Sequence, residues 1–356
     1  MITIAAVTSI RIGACEIGEG RPCFVIAEAG VNHNGDGELA KRLVDAAADA
    51  GADAVKFQTW QTDALVADGA PLAGYQRANV GTGTADQRQL LAELELSHDE
   101  FRDVERRARE RGIVFLSTPD EEASADFLDG LGVPAFKIGS AEVTNVPLLR
   151  HVGAKRKPVI LSTGMATLAE VRGAVDTLRE AGADELVVLQ CTSSYPADPA
   201  SVNLRAMATL RSELGVPVGF SDHTTGRDVA VAAVALGAVV LEKHLTLDRG
   251  MRGPDHASSL EPAGLAELVS AVRTVESALG SGEKEPTVAE LATREAVRRR
   301  LYAKRPLVAG ATVAADDLRL LRGGEGIGSD RLADVVGRRL AHDLAANEPL
   351  RWDALS

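Results

Sequence analysis

Short apolar runs alternate with amphipathic stretches along most of the chain. Eight runs begin near Phe24, Ala54, Ile113, Ala135, Val159, Leu186, Val216 and Ala238, at intervals of 30, 59, 22, 24, 27, 30 and 22 residues. They are apolar throughout, the pattern of parallel strands covered on both faces. The stretches between them read as helices. In 37–50, Leu39, Leu43, Ala46, Ala47 and Ala50 recur at spacings of three and four, while Lys41, Arg42, Asp45 and Asp49 fall elsewhere on the wheel. Glycines at 51, 112, 132, 182, 215 and 237 mark helix ends, and a last helix is expected over Glu261 to Leu279. Every interval but the second fits one strand, one helix and two short loops. Eight such units over about 260 residues predict a (β/α)8 TIM barrel. An open doubly wound sheet is the alternative, and the absence of a GxGxxG turn after the first run counts against its dinucleotide-binding form. The long second interval predicts an insertion over Trp60 to Ser97, on the face where barrels keep their active-site loops.

After Leu279 the pattern changes. SGEKEPTVAE is polar, with Gly and Pro, and reads as a linker; from about Val297 the chain continues in short β-like runs and turns. The expected organisation is a barrel over 1–280, a linker over 281–296 and a small β-rich domain over 297–356. About 60 residues is near the lower limit for independent stability, so the tail is expected to lean on another surface.

Composition narrows the function. Of 356 residues, 45% are hydrophobic and 25% charged, which supplies a sizeable core. Aromatics are 3%, too few for a stacking platform for single strands, and the net charge of −12 offers no general nucleic-acid or anionic-membrane partner. A cleft can still gather cations locally, so an anionic substrate is not barred. Cys15, Cys23 and Cys191 form no CxxC pair and no even framework, which fits a reduced cytoplasmic setting. The first twenty residues lack a basic n-region and a long apolar run, so no signal peptide is expected, and no run of about 18 apolar residues is present to span a membrane.

The ends of the apolar runs carry residues that a core does not choose: Glu28, Lys56, Thr118, Lys137, Ser162, Ser221-Asp222-His223 and Glu242-Lys243-His244, with Cys191-Thr192-Ser193-Ser194-Tyr195 after the sixth. On a barrel these positions converge on one mouth. Singly, a Lys is a rim residue and a Ser or Thr is a cap for the next helix; recurrence at nearly every strand is not explained by capping. His223 and His244 close neighbouring strands, with Asp and Glu nearby, and are candidate ligands for a divalent metal. Lys56 and Lys137, with Ser140, Ser162, Ser193 and Ser221, are rich in donors and suit a phosphate or carboxylate.

The segments IAEAGVNHNGDGELAKRLVDAAADAGADAVKFQ, LSTPDEEASADFLDGLGVPAFKIGSAEVTN, KPVILSTGMATLAEV, CTSSYP, VGFSDHTTG and LEKHLTLDRGMRGPDHASSLEP resemble the sialic acid synthase family, from about Phe24 to Leu279, and the tail resembles that family's antifreeze-like (SAF) domain. These enzymes make nonulosonic acids from phosphoenolpyruvate and an N-acetylmannosamine-type sugar. The resemblance implies that Lys56, Lys137, Ser140, Ser162, Ser193 and Ser221 hold phosphoenolpyruvate, that His223 and His244 bind Mn2+ or Mg2+, and that Glu28 is the catalytic carboxylate. It implies sugar contacts from Gln58, Glu142, Tyr195 and Asp255, with Tyr75 and Gln76 of the GYQRANVGTGT run as further candidates. Arg322 would reach the partner subunit's site and contact the N-acetyl group, which implies a domain-swapped homodimer. The implied chemistry is attack of the methylene carbon of phosphoenolpyruvate on the sugar aldehyde, addition of water, and loss of phosphate by C–O cleavage.

The expected activity is N-acetylneuraminate synthesis, with legionaminic or pseudaminic acid synthesis on a deoxy diacetamido sugar as the alternative. Gln190 stands where the family often has His, Ser193 where it often has Asn, and the run LRGGEG around Arg322 departs from the usual Lys-Arg-Pro-Gly. A lysine Schiff-base aldolase would need one desolvated Lys, whereas Lys56 and Lys137 sit among phosphate-type donors. A non-catalytic sugar-binding barrel would have lost the metal and phosphate residues, all of which are present.

Overall fold

The computed structural model describes residues 9–80 and 84–356. Residues 81–83 of the GYQRANVGTGT run, and 1–8 of the stretch judged for a signal peptide, lie outside them. The chain divides into two compact units, 1–280 and 281–356.

The first unit opens with an antiparallel hairpin, β1 (Ser9–Ile12) and β2 (Cys15–Gly18). Eight strands then form one sheet: β3 (Phe24–Gly30), β4 (Ala54–Thr59), β5 (Val114–Pro119), β6 (Phe136–Ile138), β7 (Val159–Ser162), β8 (Leu186–Cys191), β9 (Val218–Asp222) and β10 (Val240–His244). The ladders run in the order β5-β4-β3-β10-β9-β8-β7-β6, every pair parallel. β5 and β6 lie side by side without a ladder and bring the ends of this sheet together as a nearly closed TIM-like barrel. The expected eight strands are all present. β9 starts at Val218, after the expected Val216, because Pro217 has no N–H to give a ladder.

Helices cover the outside for the reasons their sequences give. The helix Gly37–Asp49 is capped by Asp36, whose side chain accepts from the N–H groups of Glu38 and Leu39, and it buries Ala40, Leu43, Val44, Ala46 and Ala47. Ser97 with Glu100 and Thr167 with Glu170 form capping boxes on His98–Arg111 and Leu168–Ala181.

The hairpin was not legible from the strand pattern. Ile10, Ile12 and Ile17 are buried with Phe24, Ile26, Leu116, Ile160, Val187, Leu189 and Val240, so the hairpin packs onto the interior residues of the barrel strands. Burying each isoleucine contributes about 1.5–3 kcal/mol. The available signal was IRI-G-A-CEI, two short alternating runs about a glycine at φ 57°. The insertion after β4 holds three short helices, Thr62–Leu65, Gly74–Val80 and Gln87–Leu94, around a small core of Val31, Trp60, Leu72, Val80, Leu90 and Leu94.

In the second unit, β11 (Arg299–Ala303) pairs antiparallel with β12 (Leu318–Arg322) over a core that includes Leu301, Leu307, Val313, Ile327, Val335, Leu340, Leu344 and Leu350. The stretch expected as a linker carries a helix over Val288–Val297, with no buried residue. Thr287 and Glu290 form its capping box, and this local signal overrides the polar composition. Among the described residues no helix is long and apolar enough to cross a membrane.

Candidate active site

Strand register assembles the mouth. His244, Glu28 and Lys56 are aligned on β10, β3 and β4, and Glu242, Ser221 and Cys191 on β10, β9 and β8. Because side chains alternate along a strand, Glu242 and His244 share the interior face and Lys243 takes the other. A cavity of about 450 Å³ opens among the strand ends. It is lined by Glu28, Lys56, Gln58, Tyr75, Gln76, Lys137, Ser140, Ser162, Ser193, Tyr195, Ser221, His223, His244 and Asp255. Two expected residues are not in its lining. Glu142 sits in the turn Ser140–Thr144 and accepts a hydrogen bond from Asn145 Nδ2 at 2.5 Å. Arg322 belongs to the second unit, where it ends β12 and is exposed.

Two lysines and two glutamates meet in the buried part of this cavity. Lys56 Nζ lies 2.8 Å from Glu28 Oε2 and 3.9 Å from Glu242 Oε1, and donates to Thr118 Oγ1 at 3.1 Å. Lys137 Nζ lies 3.5 Å from Glu242 Oε1 and donates to Ser162 Oγ at 2.8 Å. Gln58 Nε2 donates to Glu28 Oε1 and Ser221 Oγ to Glu242 Oε1. Burial pushes the Glu28 carboxyl up to about 7, against the pull of Lys56 and with the help of Glu242. Burial also works against charge on Glu242, but Lys137 and Lys56 outweigh it and hold that carboxyl below its ordinary value. The two glutamates therefore differ in proton affinity although they share Lys56.

Beside the lysines is a hydroxyl cradle. The Gly164 N–H donates to Ser140 Oγ at 2.9 Å. A Cβ at Gly164 would run into Ser193 Oγ and Ser140 Oγ, so only glycine lets this turn approach both hydroxyls. The set offers donors to an anion from Lys56, Lys137, Ser140, Ser162, Ser193 and Ser221.

The imidazoles of His223 and His244 face each other edge to face, with centroids 5.2 Å apart. His223 Nδ1–H donates to the Thr192 carbonyl at 2.8 Å, so Nε2 is the nitrogen that carries the lone pair when the ring is neutral; burial lowers the ring's pKa, but Cys191, the Thr192 carbonyl and Glu242 outweigh burial and raise it. His244 Nδ1 is buried and has no hydrogen-bond partner among the described residues; Asp255 Oδ2 lies 3.8 Å from it. Burial, with the positive groups His223, Lys56, Lys243 and Lys137, holds the His244 pKa well below its usual value, so this ring is neutral and free to ligate. The pair fits a divalent ion by donor chemistry. Among the described residues no group of three or more His, Cys, Asp or Glu side chains is preassembled around an ion.

One wall is aromatic: Tyr195 packs on His223 and Tyr75, with centroids 4.1 and 4.7 Å away. Tyr75 comes from the insertion, which is fastened to the loop after β10. Arg252 donates to the Val80 carbonyl and to Thr84 Oγ1, and Asn79 to the Pro254 carbonyl, next to Asp255.

Reading the strand ends located Glu242 and Thr118 without giving either a role. Asp120, Met165, Gln87 and Cys191 also line the cavity and went unassigned. For Asp120 the signal was present in Thr118-Pro119-Asp120, a charged residue just past a strand end.

Residues 43–284 match the NeuB family and residues 298–356 the SAF domain. The chain is 48% identical over 340 residues to the N,N'-diacetyllegionaminic acid synthase of Legionella pneumophila, covering 94% of this chain and 95% of that protein. It is 37% identical over 327 residues to the human N-acetylneuraminate-9-phosphate synthase, covering 91% and 90%. Among solved structures, the N-acetylneuraminic acid (sialic acid) synthetase of Leptospira borgpetersenii superposes with a TM-score of 0.72 at 34% identity, over 81% of this chain and 97% of that one.

Proposed function

The chain belongs to the NeuB family, and we propose that it is a nonulosonic acid synthase that condenses phosphoenolpyruvate with an N-acetylmannosamine-type sugar and releases phosphate by C–O cleavage. The observation that carries this reading is one cavity holding Lys56, Lys137 and four serine hydroxyls beside Glu28 and the adjacent imidazoles of His223 and His244. Anion donors, a carboxyl near neutrality and two adjacent imidazoles, of which burial and the surrounding positive groups hold His244 neutral, suit an acidic phosphorylated substrate and an aldehyde together.

In this scheme Lys56, Lys137, Ser140, Ser162, Ser193 and Ser221 bind the phosphate and carboxylate of phosphoenolpyruvate and stabilise the charge of the departing phosphate. The methylene carbon attacks the aldehyde carbon of the open-chain sugar, water adds at the carbon bearing the phosphate oxygen, and that C–O bond breaks. Glu28, with its carboxyl at about 7, exchanges protons with the water that adds. Glu242 stays ionised between the lysines; it raises the Lys56 pKa and opposes the lowering that burial causes at Lys137. Gln58, Tyr75, Tyr195 and Asp255 line the part of the cavity given to the sugar. His223 and His244 would hold Mn2+ or Mg2+, which when bound supplies a Lewis acid for the aldehyde oxygen.

The 48% and 40% identical relatives named N,N'-diacetyllegionaminic acid synthase favour a diacetamido acceptor over N-acetylmannosamine. The test is phosphate release from phosphoenolpyruvate with both sugars, with product mass and with chelator added and then metal restored. No release with either sugar overturns the reading.

The proposal extends to a homodimer in which Arg322 of one subunit serves the partner's cavity. Mixing His223→Ala and Arg322→Ala proteins under subunit exchange then recovers activity towards half of wild type per heterodimer. No recovery would place Arg322 in its own subunit's site.

A further inference from the structure

Asp120 is a cavity carboxyl without a partner. It follows β5 directly, and its N–H donates to the Thr59 carbonyl at the end of β4 at 3.1 Å, which fixes it at the corner where the insertion begins. Its side chain lines the cavity with Gln76 and Gln87 of the insertion. Both cavity lysines are committed elsewhere, Lys56 to Glu28 and Lys137 to Glu242, and among the described residues no ion pair reaches Asp120. Burial pushes its carboxyl up to about 7, with Glu142 adding to the rise and Lys56 opposing it. Asp120 is half-buried, and among the described residues no protein donor meets its carboxyl, so its oxygens are available to a ligand that enters the cavity.

The donor it awaits is not on phosphoenolpyruvate, which carries only acceptors and negative charge at neutral pH. The lysines with Ser140, Ser162, Ser193 and Ser221 already supply the donors that substrate needs, and the Asp120 carboxyl, an acceptor, adds none. A neutral sugar offers hydroxyl and amide N–H donors. Resting on the condensing reaction proposed above, we propose that Asp120 is an acceptor-recognition residue, taking a hydrogen bond from a hydroxyl or amide N–H of the sugar at the corner between β4, β5 and the insertion. Its place just past β5 makes it a contact in addition to Gln58, Tyr195 and Asp255.

Asp120→Ala and the isosteric Asp120→Asn test this with steady-state KM values for phosphoenolpyruvate, N-acetylmannosamine and a diacetamido deoxy sugar. A hydrogen bond to a charged group is worth about tenfold or more in affinity. Asp120→Ala should raise the acceptor KM by about that factor and Asp120→Asn by less, with the phosphoenolpyruvate KM within about twofold of wild type. An unchanged acceptor KM, or an equal rise for both substrates, overturns the proposal. If wild type releases no phosphate with either sugar, the condensing reading itself has failed. Ligand-detected NMR of N-acetylmannosamine on wild type and Asp120→Ala then decides for Asp120: equal binding, or none to either, overturns it.

Discussion

The two faces of β9 and β10 treat buried charge differently. On the helix-facing side, Lys243 Nζ lies 2.7 Å from Asp222 Oδ2 and donates to the Thr224 carbonyl at 2.5 Å, while Asp222 Oδ1 accepts from the Thr224 N–H. Both side chains are fully buried, and each charge is met within the protein. One residue away on each strand, the cavity side presents Ser221, His223, Glu242 and His244, where Glu242 Oε2 and His244 Nδ1 have no hydrogen-bond partner among the described residues. Alternation of side chains puts a closed charge pair and an open charge set along the same two strands and the residue after β9. Unmet valence, more than charge or burial, separates the face that binds from the face that holds the wall together.

That contrast makes the two faces fail differently. The largest effect belongs to the open side: Glu242→Gln and His244→Ala should each lower turnover by at least about a hundredfold, while the melting temperature moves by only a few degrees. A large loss of stability with normal turnover of the folded fraction would erase the distinction. On the closed side, Lys243→Met strands a buried carboxylate and should cost about 3–5 kcal/mol in urea unfolding. The folded protein should keep near wild-type turnover, and adding Asp222→Leu should return most of the stability because an apolar pair needs no partner.

The same rule extends to a histidine three residues past the end of β3. His33 is buried, its Nδ1 accepts from the Gly35 N–H, and burial lowers its pKa to about 4. Its folded pKa lies below the ordinary 6.5, so the unfolded chain binds the proton first. Stability is therefore full above about pH 6.5 and declines as pH falls towards 4, by at most about 1.4 kcal/mol per pH unit from this group. His33→Gln should flatten that part of the curve, and an unchanged slope would show that other groups set it. The smallest effect lies in the second unit: Thr287→Ala should loosen the helix Val288–Val297 by about 1 kcal/mol, read by amide exchange, with no change in turnover.

Much of the cavity could be read along the chain because a parallel barrel converts sequence position into spatial position. Each strand ends at the same face, so Glu28, Lys56, Lys137, Ser162, Ser221, His223 and His244 need no long-range information to be grouped. The hairpin was missed because Ile10, Ile12 and Ile17 form runs too short to stand out, and only the barrel strands they cover explain their burial. The helix in the expected linker was missed because its capping box acts locally while its residues bury nothing.

The sequence by itself determined the eight strands of the barrel, the glycine-marked ends of its helices, the insertion after β4 and the residue types that meet at the mouth, since all of these follow from periodicity and strand order. Only the tertiary structure decided which charges are spent and which are open. Lys243 and Glu242 are neighbours in sequence, both buried and both at a strand end. One is closed by Asp222 across the ladder and the other is shared between Lys56 and Lys137 with an oxygen to spare. That difference comes from which way each side chain points and what the adjacent strands place against it, and pairing across strands is set by register, which no local stretch of sequence contains.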